Sequence, residues 1–193
     1  PFYTMRLIQG ATLRDRIRAL HDQPQRWANG NWQLELRRLL THFIAVCRTV
    51  DYAHSQGVLH RDLKPGNIVI GDFGETLVID WGLATFLHQN QAEETASDQD
   101  QLSTLSMSEL TATGAILGTP AYMSPESMLG TSLPGDRASD IYGLGATLAT
   151  LLTGCPPVDG NTALEMLERT RRGELRFPRE QFRQVPVALD AIC

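Results

Sequence analysis

From Leu34 to Ser55 the apolar residues Leu36, Leu39, Leu40, Phe43, Ile44, Cys47 and Val50 recur at helical spacing. The charged residues Glu35, Arg37, Arg38 and Arg48 fall largely between them. This pattern predicts one long amphipathic helix with a face buried in a core. Gly57 stands where a helix stop belongs. Beyond it lie two short apolar runs, Ile68-Val69-Ile70 and Thr76-Leu77-Val78-Ile79, separated by Gly71-Asp72-Phe73-Gly74-Glu75, which is a hairpin pattern. Asp140 to Leu152 is apolar nearly all round and predicts a helix buried on every side. The class is therefore α+β, mostly helical with a small β element.

The remaining segments fill in around this frame. Phe2 to Ile8 reads as a strand, Thr12 to Leu20 as a short helix, and His21 to Trp32 as a loop or an extension of that helix. Thr162-Ala163-Leu164-Glu165 matches a capping box opening a helix to about Arg172, and Val187 to Cys193 begins another. From Leu87 to Ser108 the composition turns to Gln, Glu, Asp, Ser and Thr without periodicity, the mark of a disordered loop.

Composition matters mainly for what it excludes. The formal net charge of -5 is spread along the chain, so no basic stripe points to nucleic acid and no polybasic cluster to a membrane surface. No apolar run approaches the ~20 residues of a spanning helix, and the opening residues do not read as a signal peptide. Cys47, Cys155 and Cys193 are too scattered for a metal site or a disulfide scaffold and fit a reducing compartment. Cys47 and Cys155 are expected as small buried hydrophobes.

The chemistry is concentrated between the long helix and the hairpin. Phosphoryl transfer needs positioned metal ions, a group to orient the attacking hydroxyl, and cations to offset charge on the transferred group. The string His60-Arg61-Asp62-Leu63-Lys64-Pro65-Gly66-Asn67 offers such groups in one loop. It resembles the catalytic loop of protein kinases, and Lys followed by Pro resembles the serine/threonine branch. The resemblance implies that Asp62 is the catalytic base, that Lys64 contacts the γ-phosphate of ATP, and that Asn67 binds a magnesium ion.

The carboxylate for the other Mg2+ has two candidates. Asp72-Phe73-Gly74 spells the family's DFG, but it begins five positions after Asn67, with room for a single strand, and reads as a hairpin turn. Asp80-Trp81-Gly82 follows the second strand, where the family's metal carboxylate emerges, so Asp80 takes the metal role and Asp72 a turn role. Trp81 replaces the usual Phe and is expected to pack beneath the site toward His60.

Gly118-Thr119-Pro120-Ala121-Tyr122-Met123-Ser124-Pro125-Glu126 resembles the end of the kinase activation segment. The resemblance makes Thr119 a bridge between Asp62 and Lys64, and Glu126 a structural residue whose usual arginine partner is not in the sequence, leaving it unpaired. The segment, residues 83–119, is long for the family because of the insert at 87–108. Thr111 and Thr113 resemble the autophosphorylation threonines of bacterial-type receptor kinases, with Arg61 as the cation a phosphothreonine would order against. Asp140 matches the aspartate that holds the catalytic loop through its backbone, and is also placed to cap its helix. Met5, Leu7 and Ile8 match the interlobe hinge facing adenine, with Leu13 and Val69 flooring the adenine pocket.

The resemblance covers residues 1–193 as one kinase domain fragment, from the hinge to the start of the family's H helix near Val187. It implies a mostly helical C-lobe with the N-lobe largely absent. No glycine-rich phosphate loop, no VAIK-type lysine and no glutamate to pair with it occur in these residues, so the fragment alone is expected to be inactive. The implied function is a serine/threonine protein kinase using ATP and Mg2+ on protein hydroxyls. Its implied place is the cytoplasm, or the cytoplasmic domain of a larger, membrane-anchored protein. A pseudokinase scaffold is the alternative, opposed by the presence of Asp62, Lys64, Asn67 and Asp80. A small-molecule phosphotransferase is third, opposed by the peptide-facing 118–126 segment.

Overall fold

The computed structural model describes residues 8–22, 30–86, 120–128 and 136–193. A two-residue strand β1 (Ala11–Thr12) runs directly into helix α1 (Leu13–His21). Thr12 caps that helix, its Oγ1 accepting from the Asp15 N–H at 3.2 Å. Leu13, Ile17 and Leu20, spaced 4 and 3 apart, turn inward together.

The long helix α2 spans Gly30–Ser55, four residues more at its start than the periodicity from Leu34 indicated. The reason is Trp32, fully buried one turn before Leu36 and continuing the stripe Leu36, Leu39, Phe43, Val46, Val50. Trp32 thus belongs to the helix rather than to a loop, and Ile44 is exposed at the stripe's edge. Gly57 follows with φ +73, the left-handed conformation that ends the helix at little steric cost.

Strands β2 (Val58–Leu59), β3 (Ile68–Ile70), β4 (Thr76–Val78) and β5 (Thr85–Phe86) form two small sheets. One has the order β1-β3-β4, antiparallel throughout, with Thr12 opposite Val69 and Val69 opposite Leu77. The other pairs β2 with β5, Leu59 opposite Thr85. The loop from His60 to Asn67 and the turn at Asp80 are therefore each bracketed by a strand on either side.

Helix α3 (Pro125–Met128) precedes α4 (Ala138–Thr153), whose Leu144, Leu148, Leu151 and Leu152 join α1 and α2 in one core. The helix is not buried on every side: Ile141 is 59% exposed. Helix α5 (Ala163–Arg171) begins as expected at Thr162, whose Oγ1 accepts from the Glu165 N–H at 3.1 Å. The Glu165 carboxylate, however, accepts from the Asn161 N–H rather than from Thr162, so the box is displaced by one residue. Short helices α6 (Pro178–Gln181) and α7 (Val187–Asp190) close the described chain. Cys155 is exposed and Cys47 half-buried, against the expectation that both are buried. Cys155 follows Gly154, whose φ of +84 ends α4 and turns the chain outward. No helix among the described residues is long and apolar enough to cross a membrane.

The strand expected at 2–8 falls almost wholly outside the described residues, and the 87–108 insert lies outside them entirely, as do Met5, Leu7, Thr111, Thr113 and Thr119.

Candidate active site

The chain leaves β2 into His60, which is 1% exposed and bonded at both ring nitrogens. Its Nδ1 accepts from the Asp62 N–H at 3.2 Å, and its Nε2 meets the Ile79 carbonyl at 3.0 Å. A carbonyl only accepts, so these partners assign the neutral imidazole with its proton on Nε2. Arg61 then adopts φ 65, a left-handed conformation costing a non-glycine residue roughly 1–2 kcal/mol. Asp140 holds it there: Oδ1 accepts from the Arg61 N–H at 2.7 Å and Oδ2 from the His60 N–H at 2.9 Å.

Asp140 is 1% exposed and bonds the catalytic loop, not the amides of its own helix. The expected capping role falls instead to Asp136, whose Oδ1 accepts from the Ala138 N–H at 2.8 Å. A third partner of Asp140 is His54 Nε2, at 2.7 Å from Oδ2. Arg137 in turn donates to the His54 carbonyl at 3.1 Å. One turn along α4, a Cβ on Gly143 would lie 2.9 Å from the Leu63 carbonyl oxygen, so glycine there lets the helix close against the loop.

On this support Asp62, Lys64 and Asn67 converge. Lys64 Nζ donates to Asp62 Oδ2 at 2.6 Å, and Asn67 Nδ2 donates to the same oxygen at 2.9 Å and to the Asp62 carbonyl at 2.8 Å. The 3-10 turn Pro65–Asn67 folds the loop back so that these side chains meet, with Pro65 in its first position. Among the described residues Oδ1 of Asp62 accepts no hydrogen bond, which leaves one carboxylate oxygen to receive a hydroxyl proton.

Asp80 emerges beside this loop. The Ile79 N–H donates to the Asn67 carbonyl at 2.9 Å, and Asp80 follows with φ 64 and ψ 60. Its neighbour Trp81 lies over His60, ring centroids 4.6 Å apart and planes at 55°, and its Nε1 donates to the Val78 carbonyl at 3.0 Å. The literal Asp72-Phe73-Gly74 sits at the hairpin tip, with Asp72 exposed and Phe73 97% exposed. No group of three or more His, Cys, Asp or Glu able to hold a metal occurs among the described residues. The donors near the loop fit a hard cation held partly by phosphate and water: the exposed Asp80 carboxylate, and the Asn67 amide oxygen left over once Nδ2 is engaged.

The outlying candidates fare unevenly. Val69 is buried in β3 beside β1, and Ile8 is 37% exposed at the edge of the described residues. Leu13 is 0% exposed inside the core, so it has no surface to offer an adenine ring, and its floor role is withdrawn. Glu126 is half-buried and not without a partner, contrary to the expectation, and its charge acts on the Tyr142 phenol. Burial pushes the Tyr142 and Tyr122 hydroxyls up. Sequence reasoning missed His54; its only signal was a place four residues after Val50 on the buried stripe of α2.

A lysine and an asparagine converging on one aspartate, with a second carboxylate emerging from the following hairpin, make a site of the phosphoryl-transfer class. A family model described as protein kinase domain matches residues 5–187, and the chain belongs to that family, on its serine/threonine branch. It is 40% identical over 191 residues to the serine/threonine-protein kinase PknD of Protochlamydia amoebophila (strain UWE25), covering 96% of this chain and 19% of that protein. It is 35% identical over 194 residues to the PknD of Chlamydia caviae, covering 99% of this chain and 20% of the relative. For Chlamydia trachomatis serovar D the figures are 40% over 159 residues, 79% of this chain and 16% of the relative. The chain thus spans about a fifth or less of the length of these relatives.

Proposed function

We propose that this chain carries the catalytic loop of a protein kinase that moves the γ-phosphate of ATP to serine or threonine hydroxyls of proteins. The observation that carries the reading is the shared engagement of Asp62 Oδ2 by Lys64 and Asn67, while Oδ1 accepts no hydrogen bond among the described residues. Asp62 Oδ1 accepts the substrate hydroxyl's hydrogen and orients its oxygen for attack. Lys64, held on that carboxylate, draws charge from the phosphoryl oxygens as the bond to the leaving group breaks. Asn67 and Asp80 hold Mg2+, which when bound offsets phosphate charge. Val69, with Met5, Leu7 and Ile8, faces the adenine.

Phosphorylation at Thr111 or Thr113 activates the enzyme by pairing with Arg61, and Thr119 bridges Asp62 and Lys64 in the active state. The 193 residues alone lack a glycine-rich phosphate loop and the lysine paired with it, and are inactive in isolation. The reading is of a cytoplasmic enzyme, or of the cytoplasmic part of a membrane-anchored parent. The test is Asp62→Asn in the full-length protein, assayed by phosphate transfer to a generic protein substrate. A loss of about 10²–10⁴-fold is expected for a removed general base. Undiminished transfer overturns the assignment, and phosphopeptide mapping that finds Thr111 and Thr113 unmodified in active protein removes the activation step.

A further inference from the structure

Helix α1 carries a feature that its own stability does not explain. Arg14 stands in its first turn, where a cation opposes the helix dipole, and Arg16 and Arg18 follow, in a chain whose net charge is -5. All three are exposed, and no carboxylate among the described residues makes an ion pair with Arg14. Arg14 nevertheless has a definite direction. Its Nη1 lies 4.0 Å from where a Cβ on Gly66 would sit, so it reaches over the catalytic loop at the one residue there without a side chain.

The guanidinium is also felt at Tyr122, where its charge works against the effect of burial on the phenol. Tyr122 belongs to the 3-10 turn Pro120–Tyr122 and is hydrogen-bonded to Thr150 Oγ1 at 3.3 Å. Arg14 therefore lies against the loop that carries Asp62, and its charge is felt as far as the turn that holds Tyr122.

We propose that Arg14 is a specificity-determining residue, selecting protein substrates with a carboxylate side chain close to the target serine or threonine. The proposal rests on the kinase reading and names its substrate class. Gly66 is four residues from Asp62. That separation spans at most about 14 Å, a distance an extended peptide covers in about four residues. A glutamate or aspartate within that window meets an exposed, planar donor fork suited to bidentate carboxylate binding. Gly66 adds no side chain of its own beneath that fork.

The test uses the full-length protein and peptides with one Ser or Thr acceptor, placing Asp, Ala, Lys or phosphoserine at each of the four positions on either side. The readout is the ratio of kcat/KM between peptides within one enzyme, which is insensitive to differences in overall activity. For the wild type an acidic residue at one position is expected to raise kcat/KM about three- to tenfold over Ala, the range of a partly exposed charge-assisted pair. Arg14→Ala should flatten that ratio, and Arg14→Glu should invert it in favour of Lys, with the change carried by KM. Absence of an acidic preference in the wild type overturns the proposal, as does a preference that survives Arg14→Glu. A preference confined to phosphoserine overturns the carboxylate assignment. Absence of transfer to every peptide by the wild type sinks the kinase reading first, and this one with it.

Discussion

Replacing Asp140 with alanine tests whether a buried carboxylate shapes the catalytic loop. Asp140 accepts from the His60 N–H, the Arg61 N–H and His54 Nε2 while 1% exposed. Truncation leaves two backbone donors and an imidazole without their partner, in a place water does not reach freely. Each such group costs about 1–3 kcal/mol. A loss of about 4 kcal/mol is expected, a large share of the ~5–15 kcal/mol that holds a domain together. For a domain of this size that corresponds to a fall in Tm of about 8–16 °C.

The same substitution removes what holds Arg61 at φ 65, so the backbone relaxes and Asp62 shifts with it. A displacement of about 1 Å at the base is worth about 10²-fold in rate. Asp140→Asn separates the two effects. Its amide oxygen still accepts from one loop N–H, but its NH2 faces a donor, so stability and rate should both fall between alanine and wild type. The assays are thermal unfolding of the purified full-length protein and phosphate transfer at saturating ATP. An alanine variant melting within about 3 °C of wild type and transferring phosphate normally refutes the reasoning.

Trp81→Phe removes the indole N–H bond to the Val78 carbonyl, worth about 1 kcal/mol, from the turn that carries Asp80. The Mg2+ concentration for half-maximal activity should rise roughly fivefold; an unchanged Mg2+ dependence counts against a positioning role. His42 has its pKa lowered from 6.5 by burial and then by Arg16, and its Nδ1 lies 2.8 Å from Thr76 Oγ1. The unfolded chain takes up this proton at higher pH than the folded one. The contribution is therefore present above about 6.5 and lost as pH falls through the depressed folded value. Melting curves between pH 5 and 8 (window of roughly that width) should show acid sensitivity that His42→Gln lessens, and identical slopes would refute it. Cys155 is exposed, whereas burial and then Asp190 push the Cys193 thiol up to about 12, and burial raises Cys47. Iodoacetamide followed by peptide mass spectrometry should mark Cys155 first; earlier labelling of either other cysteine contradicts the structure.

What could be read from the sequence, and what could not, divides by the range of the interactions involved. Reading Asp72 as a turn residue needed only local facts, the room for one strand after Asn67 and the turn chemistry of Gly-Asp-Phe-Gly, whereas the role given to Asp80 came from the resemblance. The hairpin accordingly folds as its residues dictate, with Phe73 in solvent. Leu13 was misplaced although its signal was present, since Leu13, Ile17 and Leu20 form a core stripe that leaves nothing for a ligand. His54 was illegible for another reason. Its partner Asp140 lies 86 residues away, and a histidine on a buried helical face is indistinguishable in sequence from packing.

The left-handed residues show the same division most sharply. Among the described residues only Arg61 and Asp80 have positive φ without being glycine; aspartate tolerates that region better than most residues, arginine does not, and neither letter alone announces it. The Arg61 N–H is bonded by Asp140 from α4. Asp80 is fixed from both sides, by the Ile79 bond to Asn67 and by Trp81 tied to Val78 and packed on His60. Strain of this kind persists only where the surroundings over-determine the backbone. In the proposed reading both stand where atoms must be aimed, Arg61 next to Asp62 and Asp80 through its own carboxylate. The motif letters supply the chemical groups, and long-range bonds invisible in those letters hold them at the angles the chemistry needs.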